Sequence, residues 1–122
     1  MRLAAHRLLW VLLPALGFAS GCHSSHIETT VENRTGAAVD LLEVDYPSAS
    51  FGADQVAAGG QYHHRIQVRG QGRIKVQYSD STTHQLRQMS GPELFEGQEG
   101  RLEIVLLADG KAEFHPALAP QH

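Results

Sequence analysis

With 122 residues, a single cysteine and a formal net charge of −3, the chain has room for one domain and cannot be held by an internal disulfide framework. All 13 acidic residues follow position 22, whereas two of the 10 basic ones, Arg2 and Arg7, precede it. From Cys22 onward eight cations therefore face 13 anions, a net −5. That balance gives no global basic field and argues against a nucleic-acid partner, leaving only a local basic face to consider. The first predicted element is N-terminal. Arg2 and Arg7 form a positive start, the apolar run Leu8 to Phe18 follows, and Ala19, Ser20 and Gly21 end it with small side chains. This is the order of a secretory signal peptide helix: charge held on the cytoplasmic side, a short apolar helix, then residues that fit a peptidase cleft. The run is 11 residues long and is interrupted by Pro14, whereas a permanent spanning helix needs roughly 20 apolar residues.

Ala19-Ser20-Gly21-Cys22 resembles the lipobox of bacterial lipoproteins, with Ala19 where that family more often has Leu. The resemblance covers about the first fifth of the chain. It implies a signal peptide over 1–21, attachment of a diacylglycerol to Cys22 through a thioether, cleavage before that residue, and acylation of the new amino group. Several acyl chains hold a protein at a bilayer where one binds only marginally. His23 follows the cysteine, and in diderm bacteria Asp at that place commonly retains lipoproteins at the inner membrane, so the implied location is the outer membrane. Residues 22–26 then act as a lipidated tether, and His23 to His26 span no more than roughly 15 Å when extended. A domain of this size has a radius of gyration near about 13 Å and is far wider than its tether is long, so it is expected to lie against the headgroups.

The rest of the chain is punctuated by residues that tolerate positive φ or bond locally: Asn33-Arg34-Thr35-Gly36, Ala58-Gly59-Gly60, Arg69 to Arg73, Ser79-Asp80-Ser81 and Ala108-Asp109-Gly110. The runs between them alternate. Tyr62, His64, Ile66 and Val68 oppose His63, Arg65, Gln67 and Arg69, and Ile74, Val76 and Tyr78 oppose Arg73, Lys75 and Gln77. A period of two gives one buried and one wet face. Strands are predicted at 27–33, 37–46, 54–57, 61–69, 73–79, 82–89, 101–107 and 111–115. That pattern specifies an all-β domain over 27–115, an antiparallel two-sheet sandwich of immunoglobulin-like or transthyretin-like type, with a barrel as the alternative. Residues 116–122 read as a frayed tail. Asn33-Arg34-Thr35 matches a glycosylation sequon, but in an exported bacterial chain it reads as a hairpin turn.

One segment departs from the alternation. Ser90-Gly91-Pro92-Glu93 offers an N-cap, an early proline and a glutamate at the third position, with Gly97 as a stop, which predicts a single helical turn over Pro92–Glu96. Leu94 and Phe95 would then close one end of the sandwich, or form an apolar tip for a partner.

Seven histidines follow Cys22. Imidazole suits Zn, Cu and Ni, but His63 and His64 are adjacent on a strand and point to opposite faces, and His23, His26 and His122 fall near the ends. With no His-x-His, Cys-x-x-Cys or HExxH, no metal or other cofactor is assigned. Alternation sets His64 on the inward face, where a histidine needs a hydrogen-bond partner or stays neutral, so His64→Ala is expected to cost more stability than His63→Ala. Asp80, Ser81 and His84 lie close together, yet turn chemistry accounts for the first two and no strand-to-helix elbow frames the serine. Glu93, Glu96 and Glu99 lack the alternating ligand loop of a calcium site.

The candidate interaction surface is basic. If Gly70-Gln71-Gly72 closes a hairpin, Arg65, Arg69, Arg73 and Lys75 share one face and could meet an anionic lipid or a cell-wall polymer, unless acids such as Asp45 or Glu103 on a neighbouring strand neutralise them. The function expected from these observations is a membrane-anchored, non-enzymatic binding or structural lipoprotein of the cell envelope. The alternatives are a metal-handling lipoprotein and a small envelope enzyme.

Overall fold

The computed structural model describes residues 24–120. The alternating runs form eight strands: β1 (Ile27–Arg34), β2 (Val39–Tyr46), β3 (Ala49–Val56), β4 (Gln61–Ile66), β5 (Gln71–Asp80), β6 (Leu86–Phe95), β7 (Glu99–Leu107) and β8 (Lys111–Ala119). They make two four-stranded sheets packed as a sandwich. The first sheet has the order β4-β1-β7-β8 and the second β3-β2-β5-β6. All neighbours are antiparallel except β1 and β7, which run parallel from Ile27 opposite Gly100 to Arg34 opposite Leu107. The expected sandwich is therefore present, with one parallel pair that alternation alone cannot reveal.

The core lies between the inner faces. Ile27, Val31, Leu102, Ile104 and Leu106 from the first sheet meet Val39, Leu42, Val44, Ile74, Val76, Tyr78 and Leu94 from the second, all of them buried. Each aliphatic side chain taken from water contributes roughly 1.5–3 kcal/mol, which is the main force holding the sheets together. The sandwich has two open edges. One is closed by an aromatic rim between β3 and β4, where Phe51 stacks on His64 at 4.6 Å and contacts Tyr62 at 6.0 Å and Tyr46 at 6.3 Å between ring centroids. The other is closed by Phe114 of β8, whose ring fills the space beside Gly91: a Cβ there would sit 2.5 Å from Phe114 Cε2 and 2.7 Å from Ile74 Cγ2.

Several expected elements differ, and the strand expected at 82–89 begins only at Leu86. First, the predicted turn over Pro92–Glu96 is strand: β6 continues to Phe95, and Gly91 and Pro92 together oppose Ile74 in a β-bulge, since Arg73 pairs with Glu93 and Lys75 with Ser90. A bulge on a strand with only one neighbour accepts a proline, because no ladder bond is lost. Leu94 is buried and Phe95 is exposed, so only the first of them joins the core. Second, the strand run is longer than expected at both β3, which begins at Ala49, and β8, which reaches Ala119 through Pro116. Edge position again explains the proline, and residues 116–119 of the expected tail belong to the strand. Third, β4 and β5 do not form a hairpin. The backbone leaves Ile66 in the first sheet, buries Val68, turns at Gly70 (φ 85) and enters the second sheet at Gln71. Asn33-Arg34-Thr35 is likewise an arch between sheets and not a hairpin turn.

That arch is fixed by Asn33, which is fully buried. Its side-chain amide donates to the carbonyls of Ala37 (2.8 Å), Val56 (3.0 Å) and Ala57 (3.2 Å), and its Oδ1 accepts from the N–H (3.0 Å) and hydroxyl (2.7 Å) of Thr35. Backbone bonds from Asn33 N–H to Gly60 O and from Gly59 N–H to Asn33 O complete a clamp between the β1–β2 and β3–β4 connections. This defines one end of the sandwich, the distal end. The chain enters at the other, proximal end: Ser25 is buried and the carbonyl of His26 accepts from Gly100 N–H at 3.2 Å, so packing starts two residues before β1.

Candidate functional site

Cys22, the expected lipid attachment residue, lies outside the described residues, as do the signal segment and His23. The four basic residues of the candidate surface are described, and they do not share a face. Arg65 is on β4 in the first sheet and pairs with Glu28 of β1 (2.7 Å). Arg69 sits on the arch and donates to Gln67 Oε1 (3.2 Å). Arg73 and Lys75 are on β5 in the second sheet. Arg73 donates to Gly91 O (2.8 Å), and Lys75 stands opposite Asp45. The hairpin that would have united them is replaced by the crossover, and acids from neighbouring strands stand opposite three of the four: Glu28 by Arg65, Glu93 by Arg73 and Asp45 by Lys75. Exposed pairs of this kind contribute at most about 1 kcal/mol each, and here they cancel a local field more than they stabilise.

The histidines are dispersed. His63 bonds Thr30 Oγ1 at 3.0 Å on the outer face of the first sheet, His115 pairs with Glu113 at 3.2 Å, and His84 occupies the β5–β6 turn at φ 60. His64 is on the same side of β4 as Ile66, as alternation requires, but it is exposed and not buried. β4 is an edge strand, so its inward side chains near the rim cover Phe51 without entering the core. Among the described residues no three His, Cys, Asp or Glu side chains come close enough to hold one metal ion. Asp80 accepts the N–H groups of Thr82 (2.8 Å) and Thr83 (3.2 Å), which hold its carboxyl below the usual carboxylate range. Its neighbours Ser81 and His84 are parts of the same turn. Glu93 and Glu96 are engaged by Gln71 (2.9 Å) and by Gly70 N–H (2.8 Å).

What the second sheet does assemble is a groove of about 440 Å³ on its outer face, lined by Asp45, Lys75, Gln77, Gln88, Met89 and Ser90. Two bulges frame it, one in β2 between Asp40 and Glu43 and one in β6 at Gly91-Pro92. A bulge bends its strand and sharpens the local twist, which makes a flat face concave. On the floor, Gln88 Nε2 donates to Gln77 Oε1 at 3.0 Å, which leaves the amide nitrogen of Gln77 and the amide oxygen of Gln88 open to a further hydrogen bond. Glu43 and Asp45, two apart on β2, share a hydrogen bond, and the Glu43 carboxyl is raised above its ordinary value by that bond and by the charge of Asp45. Both carboxylates lie on an open surface, where the hydrogen bond and the like charge together raise Glu43. Two amides, one carboxylate, one ammonium and one hydroxyl give the groove a hydrogen-bonding surface. The sequence signal for it is weak: Lys75, Gln77, Gln88 and Ser90 read as an ordinary wet face until β6 is placed beside β5.

No family model matches the chain, and no curated protein matches it. Among solved structures its fold is similar to the NMR structure of a protein from Eubacterium rectale, with a TM-score of 0.55 and 11% identity over 80% of this chain and 91% of that one.

Proposed function

We propose that this chain is the precursor of a bacterial envelope lipoprotein, cleaved before Cys22 and held by lipid on that residue. The domain it anchors is a small non-enzymatic β-sandwich that serves as a binding or structural module. The observation that carries the reading is the junction itself: Ala19-Ser20-Gly21-Cys22 follows a charged and then apolar segment, and the packed domain begins three residues later at Ser25. His23 after the cysteine supports the outer membrane as its location. Of the two partner classes expected from the sequence, a cell-wall polymer is supported by the groove on β2, β5 and β6. An anionic lipid recognised by clustered cations loses its support with the dispersal of Arg65, Arg69, Arg73 and Lys75.

Radiolabelled or clickable fatty acid fed to cells expressing the native chain should be incorporated, and Cys22→Ala should abolish incorporation and leave the protein uncleaved or released from the membrane fraction. Native protein that takes up no label would remove the basis of the proposal.

A further inference from the structure

The two ends of the sandwich differ in construction, and only one is within reach of Cys22. Three residue steps separate Cys22 from buried Ser25, at most about 11 Å of extended chain. The proximal end is a platform of cross-bonded loops. Ser48 Oγ accepts from Arg69 N–H (3.3 Å), Gly70 N–H donates to Glu96, Gly97 N–H donates to Val68 O (3.4 Å), and Phe95 N–H donates to Gln98 Oε1 (2.9 Å). A cleft of about 170 Å³ separates Ser24 and Ser25 from Gln67, Arg69 and Glu96 at the point of chain entry. Three large apolar side chains are notably exposed in the domain, and the proximal end carries one of them, Phe95 at 44%. The other two, Leu41 at 67% and Leu86 at 58%, lie at the starts of β2 and β6, which is the distal end.

We propose that the proximal end rests on the phospholipid bilayer, with Phe95 in the headgroup region and Arg69 beside it, and that the distal end with Leu41, Leu86 and the Asn33 clamp faces away from the membrane. This inference rests on lipid attachment at Cys22. A domain several times wider than its tether cannot turn its far end to the surface that holds the tether. An aromatic ring and an arginine on a rigid rim are the residue types that settle at the lipid boundary, the ring in the acyl–headgroup zone and the guanidinium among phosphates. The crossover at 67–70, which breaks up the expected basic hairpin, delivers Arg69 to this end.

The only tryptophan of the chain, Trp10, precedes Cys22, so the cleaved protein has none. Phe95→Trp and Leu86→Trp therefore each introduce a single tryptophan, excited selectively over the three tyrosines. Purified lipidated protein, its mass confirming the acyl chains, is reconstituted in vesicles of phosphatidylethanolamine and phosphatidylglycerol containing brominated lipid. The expected result is a blue shift and strong quenching for F95W, and neither for L86W, which should remain open to aqueous acrylamide. As a check independent of the ring, Ser48→Cys carrying a nitroxide should be protected from a water-soluble relaxant in vesicles. Equal or reversed quenching in verified lipoprotein, or a fully accessible label at position 48, would overturn the orientation while leaving the anchor intact. Protein whose mass shows no acyl chains would overturn both.

Discussion

Asn33 and Thr29 lie four residues apart on the inner side of β1 and make opposite predictions. Asn33 satisfies three carbonyls, so Asn33→Ala leaves buried acceptors unpaired and should lower the unfolding free energy by about 3 kcal/mol or more. Thr29 Oγ1 is buried with no hydrogen-bond partner, so Thr29→Val, which keeps the shape and removes the stranded hydroxyl, should raise stability by about 1 kcal/mol. Urea unfolding of the two variants beside the wild type measures both, and a loss on Thr29→Val would mean the hydroxyl is satisfied. Gly91→Ala drives a methyl into the Phe114 ring and should cost about 1–3 kcal/mol. The two carboxyls with shifted titration act in opposite directions. Asp80 is depressed, so its contribution to stability is present above its ordinary value of 3.8 and disappears as pH falls through the lower folded value. Asp80→Ala should therefore lower the melting temperature at pH 7 and make no difference in strong acid. Glu43 is raised above 4.5, so its charge opposes folding at neutral pH and that opposition is relieved on acidification. Glu43→Gln should melt higher than wild type at pH 7, with the gap closing near pH 4. A pH series of thermal melts separates the two signs.

At the level of elements, the strands whose faces alternate cleanly were legible from the chain. β1, β5 and β7 have the spans expected within a few residues, and the two-sheet architecture follows from them. The misreadings share a cause: local signals do not specify which neighbour a strand takes. The Gly70-Gln71-Gly72 segment is compatible with either a hairpin or a crossover, and what decides is the hydrogen bonding of the arch to Ser48 and Glu96, residues distant in sequence. Ser90 to Glu93 contains a sound helix-start pattern, overridden because the bulge lets Gly91 admit Phe114 and lets Leu94 reach the core. The start of β3 at Ala49 is hidden in the sequence because Pro47-Ser48 is a tight turn with Ser48 at φ 93, a position where glycine is the usual marker. His64 is on the side of β4 that alternation predicts but is exposed, since alternation does not distinguish an edge strand from a central one. On the exposed rim, His64→Ala and His63→Ala should now each change stability by less than about 1 kcal/mol. The groove was invisible for the same reason as the crossover, because its lining comes from three strands. If it holds a cell-wall polymer, replacing Gln77 and Gln88 together by Ala should weaken cosedimentation with purified insoluble cell wall. About 1 kcal/mol for each lost bond, or roughly fivefold, sets the expected scale.

Across the whole molecule the connections alternate between sheets, so that the chain passes from the first sheet (β1) to the second (β2, β3), back (β4), across again (β5, β6) and home (β7, β8). β1 is thereby flanked by β4 on one side and β7 on the other, and the second of these partners lies more than 60 residues further along the chain. This parallel pairing has a consequence for timing. Contacts of such long sequence separation form late and slowly, in milliseconds to seconds for β-rich domains, because the intervening loop must first be closed. A chain emerging from its N-terminus presents β1 first and completes it almost last. On the export reading, Cys22 and the segment before it emerge ahead of every strand, so the chain is open to acyl transfer before β7 arrives to close the sheet. On that reading, the order of emergence would keep the thread loose enough to pass a narrow channel and let the tether be fastened before the knot is drawn.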